Sequence, residues 1–315
     1  MAHDHHHHHH HDMASSRIGW VFLLNLVFTI IEFIGGWLTN STAIMADAVH
    51  DLGDSLSIGS AWILNKVSGK QATEQFSYGY QRFSLLGALI NGLVLLTGSI
   101  WVLIEAIPRL IDPPMPHTEG MMLLAFFGIA VNGYAAFKLS HGHSLNEKVL
   151  NWHLMEDVLG WVAVLVVSVV LMFADLPILD PLLSVAFTLF ILFNVFRNLK
   201  STLQVFLQAS PSESKRSEIR KKLLSHPLVN DIHHLHFWSL DGEQHVLTAH
   251  LVLTANVDLS QITELKVDIA TRLADFDLQH TTIELEFDDE DCRDAGKDDD
   301  GHHHGCGGHG HDHGH

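Results

Sequence analysis

Positive charge is scarce in this sequence. Its 315 residues include 18 Lys and Arg against 36 Asp and Glu, which gives a formal net charge of −18. Proteins that bind nucleic acid need a basic surface, so this balance argues against nucleic acid as a partner. An acidic surface instead attracts cations.

Cysteine is nearly absent as well. The two cysteines, Cys292 and Cys306, both lie in or near the C-terminal tail. Two thiols so placed form no disulfide framework and are typical of a reducing compartment. A thiol among histidines can also bind a soft metal, and that alternative stays open.

A cleavable signal peptide is a third absence. The chain starts with the run His5–His11 rather than with a Lys/Arg segment and a short apolar core. Because Met13 follows this run, residues 1–16 are either a native His-rich tail or a cloning tag. Residues 289–315 are a second His-rich tail, which is too polar to bury a core and is expected to be disordered without metal.

Between the tails lie long apolar stretches. Six of them have the length of a membrane span and predict an all-α, six-helix transmembrane domain over residues 17–208. The approximate spans are Ile18–Leu38, Ala43–Leu64, Leu85–Ile107, Met121–Leu139, Val149–Phe173 and Ile178–Val205. Lys and Arg gather in the loops on one side, which predicts that both termini are cytoplasmic. The length and the missing leader favour a bacterial inner membrane.

Residues 209–288 have the pattern of a small soluble domain. Apolar residues recur at helical spacing in the two predicted helices and alternate in the strands. The predicted order is helix Glu213–Leu224, strand Asp231–Leu240, strand His245–Thr254, helix Ser260–Asp275 and strand Thr281–Phe287. This αββαβ order predicts an α+β domain with helices packed on one sheet.

Two of the predicted spans carry the same motif, His-x-x-x-Asp. Span two contains His50 and Asp54, and span five contains His153 and Asp157. Positions i and i+4 share one helix face, so each span offers an imidazole beside a carboxylate. Two such helices facing each other would supply a tetrahedral set of two nitrogens and two oxygens, which suits zinc. Ionisable side chains within a membrane are costly, which favours a functional site over chance.

This donor set predicts transport and not catalysis. Four protein ligands leave no open coordination position, and the motif His-Glu-x-x-His of zinc hydrolases is absent. Metal ligands must be deprotonated, so a site that opens to each side in turn would exchange metal for protons. Asp47, three residues before His50, either orients that imidazole or is a carboxylate near the helix N-terminus that the helix dipole favours.

These motifs lie in segments that resemble a known family, the cation diffusion facilitators. Leu38–Asp54 is similar to the family's second-span signature, Phe76–Arg82 to its Phe/Tyr-Gly-x-x-Arg loop, and His153–Gly160 to its fifth-span signature. His233–Trp238 and His280–Glu286 resemble strands of the family's cytoplasmic domain. The resemblance covers residues 17–290 and favours the zinc-exporting branch.

The resemblance implies a homodimer of six-span protomers in the lipid bilayer that exports cytosolic zinc in exchange for protons. It also implies a cytoplasmic domain of ferredoxin-like topology that binds metal at His233, His250, His280 and Glu286, with the choice between His233 and His234 open. Cadmium, cobalt, iron and manganese are the alternative cargoes. A membrane protein that buffers or senses metal is the alternative class.

Overall fold

The structure is a computed structural model that describes residues 9–68, 72–139, 145–254, 257–287, 290 and 292–294. Within these ranges, the side chains of residues 9–21, 61, 62, 64–66, 68, 138, 139 and 145–153 fall outside the description. Residues 1–8 and 295–315, which hold half of the N-terminal His-rich tail and most of the C-terminal one, also fall outside it. The chain divides into two compact units, Met1–Leu207 and Gln208–His315.

The first unit is helical. Its helices are α1 His9–Thr39, α2 Thr42–Ser68, α3 Phe83–Arg109, α4 Thr118–Leu139, α5 Leu145–Phe173 and α6 Leu179–Phe206. Helix α1 packs against α2, α4 against α5, and α3 against α6. A buried cluster that includes Phe28, Ile44 and Trp161 joins α1, α2 and α5.

Five of the helices in the described part of the chain are long and apolar enough to cross a membrane. The matching segments are Phe22–Thr39, Phe83–Arg109, Thr118–Phe137, Leu154–Phe173 and Leu179–Phe206. Large apolar side chains such as Trp37, Leu123 and Phe193 are exposed on them, as expected where lipid is the solvent. The chain is therefore a membrane protein. Helix α2 is not in this set, and it carries Asp47, Asp51 and Asp54.

Helix α6 caps helix α2 at one end of the helical unit. The buried carboxylate of Asp180, in the first turn of α6, accepts hydrogen bonds from the backbone N–H of Thr42 at 2.7 Å and from its hydroxyl at 2.9 Å. The Ser41 hydroxyl donates to the same carboxylate. A carboxylate at a helix N-terminus satisfies unpaired amides and meets the positive end of the dipole. Asp180 therefore joins the two helices through the start of α2.

The second unit is a small α+β domain. It contains α7 Glu213–Leu224, β1 Val229–Ser239, β2 His245–Leu253, α8 Leu259–Arg272 and β3 Leu278–Glu286, in the predicted order. The strands form one sheet of order β1-β2-β3, in which β1 pairs antiparallel and β3 parallel to β2. One face of the sheet shares a core with the helices, made of Ile219, Leu223, Leu247, Leu251, Leu265, Ile269 and their neighbours.

Helix α8 starts at a capping box. The Asp258 carboxylate accepts a hydrogen bond of 2.9 Å from the backbone N–H of Gln261, whose side-chain oxygen accepts one of 2.9 Å from the backbone N–H of Asp258. This reciprocal pair satisfies two amides that a helix start leaves open. The helix begins at Leu259 and ends at Arg272, three residues before the predicted end at Asp275, because the short 3-10 turn Ala274–Phe276 follows it.

Candidate metal centres

Helix α2 places the first predicted pair on one face. His50 and Asp54 lie one turn apart, and the His50 Nε2 is 3.6 Å from the Asp54 Oδ2. About a quarter of each side chain is exposed, 25% for His50 and 22% for Asp54. Both groups are thus sheltered and still reachable by an ion.

Helix α5 adds a third donor. The Asp157 Oδ1 lies 3.9 Å from the His50 Nε2, and the Asp157 side chain is 9% exposed. One ligand atom each from His50, Asp54 and Asp157 lies within 4.8 Å of the others. The backbone of His153 lies in α5 one turn before Asp157, but its side chain is outside the described residues. Three of the four predicted intramembrane residues are therefore brought together from two helices.

More buried acids surround this cluster than the sequence pattern indicated. Glu32 of α1 is 1% exposed and Asp51 of α2 is 4% exposed. Their carboxyl groups lie close enough to interact electrostatically. Asp51 is next to His50 in sequence, so it lies off the helix face that His50 shares with Asp54. The pattern missed the Glu32–Asp51 pair because periodicity does not show which neighbouring helix covers the other side of α2.

Asp47 is buried at 8% exposure, facing Gly160 of α5. The first turn of α2 contains no acidic residue, and Asp180 caps that helix instead. The structure thus does not support the helix-dipole role for Asp47. A role beside His50, one turn further on, stays a prediction.

A second cluster of donor atoms lies on the sheet of the α+β domain. One ligand atom each from His233, His234, His250 and Cys292 lies within 4.8 Å of the others. The carboxylate of Glu286 touches two of the imidazoles, at 2.8 Å from the His233 Nε2 and 2.6 Å from the His250 Nδ1. Three of the four cytoplasmic residues that the family resemblance implied are therefore adjacent: His233, His250 and Glu286.

The fourth, His280, lies apart from this cluster. It is exposed on β3 and pairs in register with Val246, whereas Glu284 pairs with His250. Four residues along a strand span about 13 Å, too far to share an ion with His250. The structure instead places His234 and Cys292 beside His233 and His250.

A backbone irregularity brings His234 to the cluster. Strict alternation would point His233 and His234 to opposite faces of β1. The register of β1 against β2 shifts between His233 and His236, and His234 has a φ of 49°. Its ring lies 5.1 Å from that of His233 and 4.9 Å from that of His250. The sequence contains no signal for this bulge.

A carboxyl group and a thiol of this cluster have shifted pKa values. Burial opposes ionisation of Glu286, but the hydrogen bond with His250 and the charge of His233 outweigh it, so its pKa lies below the usual value. Burial, together with the neighbouring Glu286, raises the pKa of the Cys292 thiol. A cation among these groups would stabilise both the carboxylate and the thiolate.

Comparison with known proteins gives the family. A family model described as the cation efflux transmembrane domain matches residues 20–207, and one described as the cation efflux protein, cytoplasmic domain matches residues 211–287. The chain belongs to the cation efflux family. The resemblance read from the sequence motifs is thereby confirmed, and the family is one of transporters.

Several curated relatives match this cation efflux protein over most of its length. The "Cadmium, cobalt and zinc/H(+)-K(+) antiporter" of Bacillus velezensis is 30% identical over 290 residues, 91% of this chain and 92% of the relative. The metal cation efflux system protein CzcD of Cupriavidus metallidurans is 33% identical over 264 residues, 82% and 83% of the two chains. The zinc transporter ZitB of Pectobacterium atrosepticum is 28% identical over 299 residues, 93% and 92% of the two chains.

Proposed function

We propose that this cation efflux protein exports zinc from the cytosol in exchange for protons, through a site formed by His50, Asp54, His153 and Asp157. The observation that carries the proposal is the meeting of ligand atoms from α2 and α5 within 4.8 Å. Imidazole nitrogen and carboxylate oxygen are ligands that zinc accepts readily. The names of the relatives, which include zinc transporters and a proton-coupled antiporter, support the same cargo and counter-ion.

Proton coupling follows from competition for the same atoms. A histidine nitrogen or a carboxylate oxygen binds either a proton or the metal, so zinc loading releases protons. Histidine as a residue type changes protonation near neutral pH, so imidazole ligands suit an exchange of metal for protons. Protons arriving from the acidic side would displace zinc when the site opens to that side. No further energy source is required.

The proposed site fixes the membrane topology. Helix α2 carries half of the ligands, so it is proposed as the sixth span in spite of its three aspartates. A polar span is stable when its charged face meets other helices, and α1, α3 and α6 pack around α2.

Both termini are proposed to be cytoplasmic, in a bacterial inner membrane, with a homodimer formed through the ferredoxin-like cytoplasmic domain. That domain is proposed to bind metal at a site that includes His233, His250 and Glu286.

Zinc flux in proteoliposomes tests the transport site. Purified protein is reconstituted with a zinc indicator trapped inside, and a pH gradient is imposed. The wild-type protein is expected to move zinc at a rate that rises with the gradient. Asp157→Asn keeps the shape of the side chain but removes a charged ligand, so it is expected to reduce the rate to the background of empty vesicles. His153→Ala is expected to do the same.

Glu156→Gln is the matched control. Glu156 is the neighbour of Asp157 on α5, and its side chain is exposed. The same loss of one charge at this position is expected to leave the zinc flux unchanged. Wild-type flux in Asp157→Asn, or flux that ignores the pH gradient, would overturn the proposal. Repeating the assay with cadmium, cobalt, iron and manganese separates zinc from the other cargoes.

A further inference from the structure

The donor cluster on the sheet of the α+β domain contains a sulfur that the family resemblance did not include. We propose that His233, His234, His250 and Cys292 bind one zinc-like dication, and that this ion ties the segment after β3 to the sheet. The site deepens the proposed cytoplasmic metal binding and in that respect rests on the proposed function. Its new content is the ligand set, with His234 and Cys292 as ligands, Glu286 as a neighbour of the ligands and not a ligand itself, and His280 excluded.

The bulge at His234 is the first support. A residue other than glycine at positive φ is uncommon, although histidine is enriched among the exceptions. The φ of 49° turns His234 toward the face that carries His233 and His250. The backbone departure thus produces a third imidazole at the cluster. Such local departures accumulate at ligand sites.

The position of Cys292 is the second support. Its Sγ lies 3.8 Å from the His250 Nδ1, although the residue follows the end of β3. The adjacent Arg293 pairs with Glu284 of β3, which holds this part of the chain against the sheet. One thiolate and three imidazoles supply four ligands, the number that a closed tetrahedral zinc site uses.

The charge balance is the third support. A dication bound by one thiolate keeps a net charge of about +1 unless another anion is near. Glu286, which is 6% exposed, supplies that anion within hydrogen-bonding distance of two of the imidazoles. A carboxylate against a ligating imidazole also fixes its orientation and raises its basicity. Glu286 is therefore assigned as the residue that positions His233 and His250. Because it faces the His233 Nε2 and the His250 Nδ1, the other ring nitrogen of each histidine is assigned to the metal.

The sulfur ligand determines which metals this site prefers. Thiolate is a soft ligand that favours zinc, cadmium and cobalt over magnesium, calcium and manganese. The proposed intramembrane site has nitrogen and oxygen donors alone. The two sites therefore differ in a property that spectroscopy can separate, because a sulfur-to-metal charge-transfer band can come only from a site with a cysteine.

Cobalt titration of the full-length protein in detergent tests the ligand set. The wild-type protein is expected to develop a sulfur-to-cobalt charge-transfer band in the near-ultraviolet. Cys292→Ser is expected to lose the band, and His234→Gln to lose or weaken it. Cys306→Ser is the matched control, because it removes the other thiol of the chain and is expected to keep the band. His280→Gln is likewise expected to keep it.

Positioning by Glu286 has its own readout. Glu286→Gln is expected to keep the band but to weaken cobalt binding by roughly 10- to 100-fold. A second measurement uses Cys306→Ser protein, in which Cys292 is the remaining thiol. Zinc is expected to protect Cys292 from alkylation in this protein, and His234→Gln on the same background is expected to remove the protection.

Three results would overturn the ligand set. They are a band that persists in Cys292→Ser, a band lost in Cys306→Ser, and alkylation of Cys292 that zinc does not slow. Zinc flux of Cys292→Ser in proteoliposomes shows whether the protein is intact. If flux remains while the band is absent from the wild type, the sulfur site fails and the transport proposal stands. If the band behaves as expected but zinc flux is absent, the transport proposal fails and the sulfur site stands.

Discussion

The carboxylate of Asp180 is expected to be one of the strongest single contacts between helices of the transmembrane unit. It lies in α6, is 2% exposed, and accepts hydrogen bonds from the Ser41 hydroxyl, the Thr42 hydroxyl and the Thr42 backbone N–H. Ser184 adds a bond of 2.9 Å to the carbonyl oxygen of Thr42. Asp180→Ala would leave the Thr42 backbone N–H and two buried hydroxyls without this acceptor, while the Ser41 hydroxyl oxygen would still accept from the Ile44 N–H at 3.2 Å.

The expected loss of stability combines two effects. Loss of a side-chain acceptor at a helix N-terminus costs about 0.5–2 kcal/mol. Leaving buried polar groups without their acceptor costs about 1–3 kcal/mol. Together these give about 3 kcal/mol for Asp180→Ala. For a unit of this size about 1 kcal/mol corresponds to roughly 2–4 °C in Tm, so we expect a decrease of about 6–12 °C.

Thermal unfolding in detergent, followed by tryptophan fluorescence, measures this decrease. Asp180→Asn retains an acceptor oxygen without the charge and is expected to cost about half as much, since charge-assisted hydrogen bonds are roughly twice as strong as neutral ones. Asp175→Ala is the matched control, because Asp175 is exposed in the connection between α5 and α6. A Tm for Asp180→Ala equal to that of Asp175→Ala would refute the capping role.

Two further predictions concern ligand chemistry and pH. His50→Asp replaces a nitrogen donor with a harder oxygen donor, so transport is expected to shift from zinc toward manganese and iron; an unchanged ratio of fluxes would contradict the assigned role of ligand type. Hydrogen bonds from the Ser260 hydroxyl and the Gln261 N–H hold the pKa of Asp258 below its usual value. The charged carboxylate therefore stabilises α8 fully at pH values above the ordinary Asp pKa of about 3.9. This stabilisation is lost as the pH falls through the lower pKa that Asp258 has in the folded protein. The protection of the first amides of α8 against hydrogen exchange, relative to the rate of an unstructured chain at the same pH, is expected to fall over that range in the wild type. It is expected to stay constant in Asp258→Asn, which does not titrate, and identical profiles would exclude the effect.

Local sequence patterns were almost sufficient to identify the family. Apolar stretches of membrane-spanning length and the spacing of His50 and Asp54 are visible in the sequence because helices have a fixed period and bilayers a fixed thickness. The order of helices and strands in the α+β domain followed from periodicity in the same way, while the ends of α8 and of the strands shifted by a few residues. Periodicity determines which residues share a face of one element.

Contacts between elements were decided by the folded chain. Asp157 meets His50, and Asp180 caps a helix 138 residues earlier in the sequence, because α5 and α6 pack beside α2. Near the second cluster, a bulge turns His234 toward His250, and the chain after β3 returns Cys292 to the sheet. A residue's own neighbours in sequence do not encode these placements, since the energies that select them come from packing, hydrogen bonds and charge pairs across elements distant in sequence.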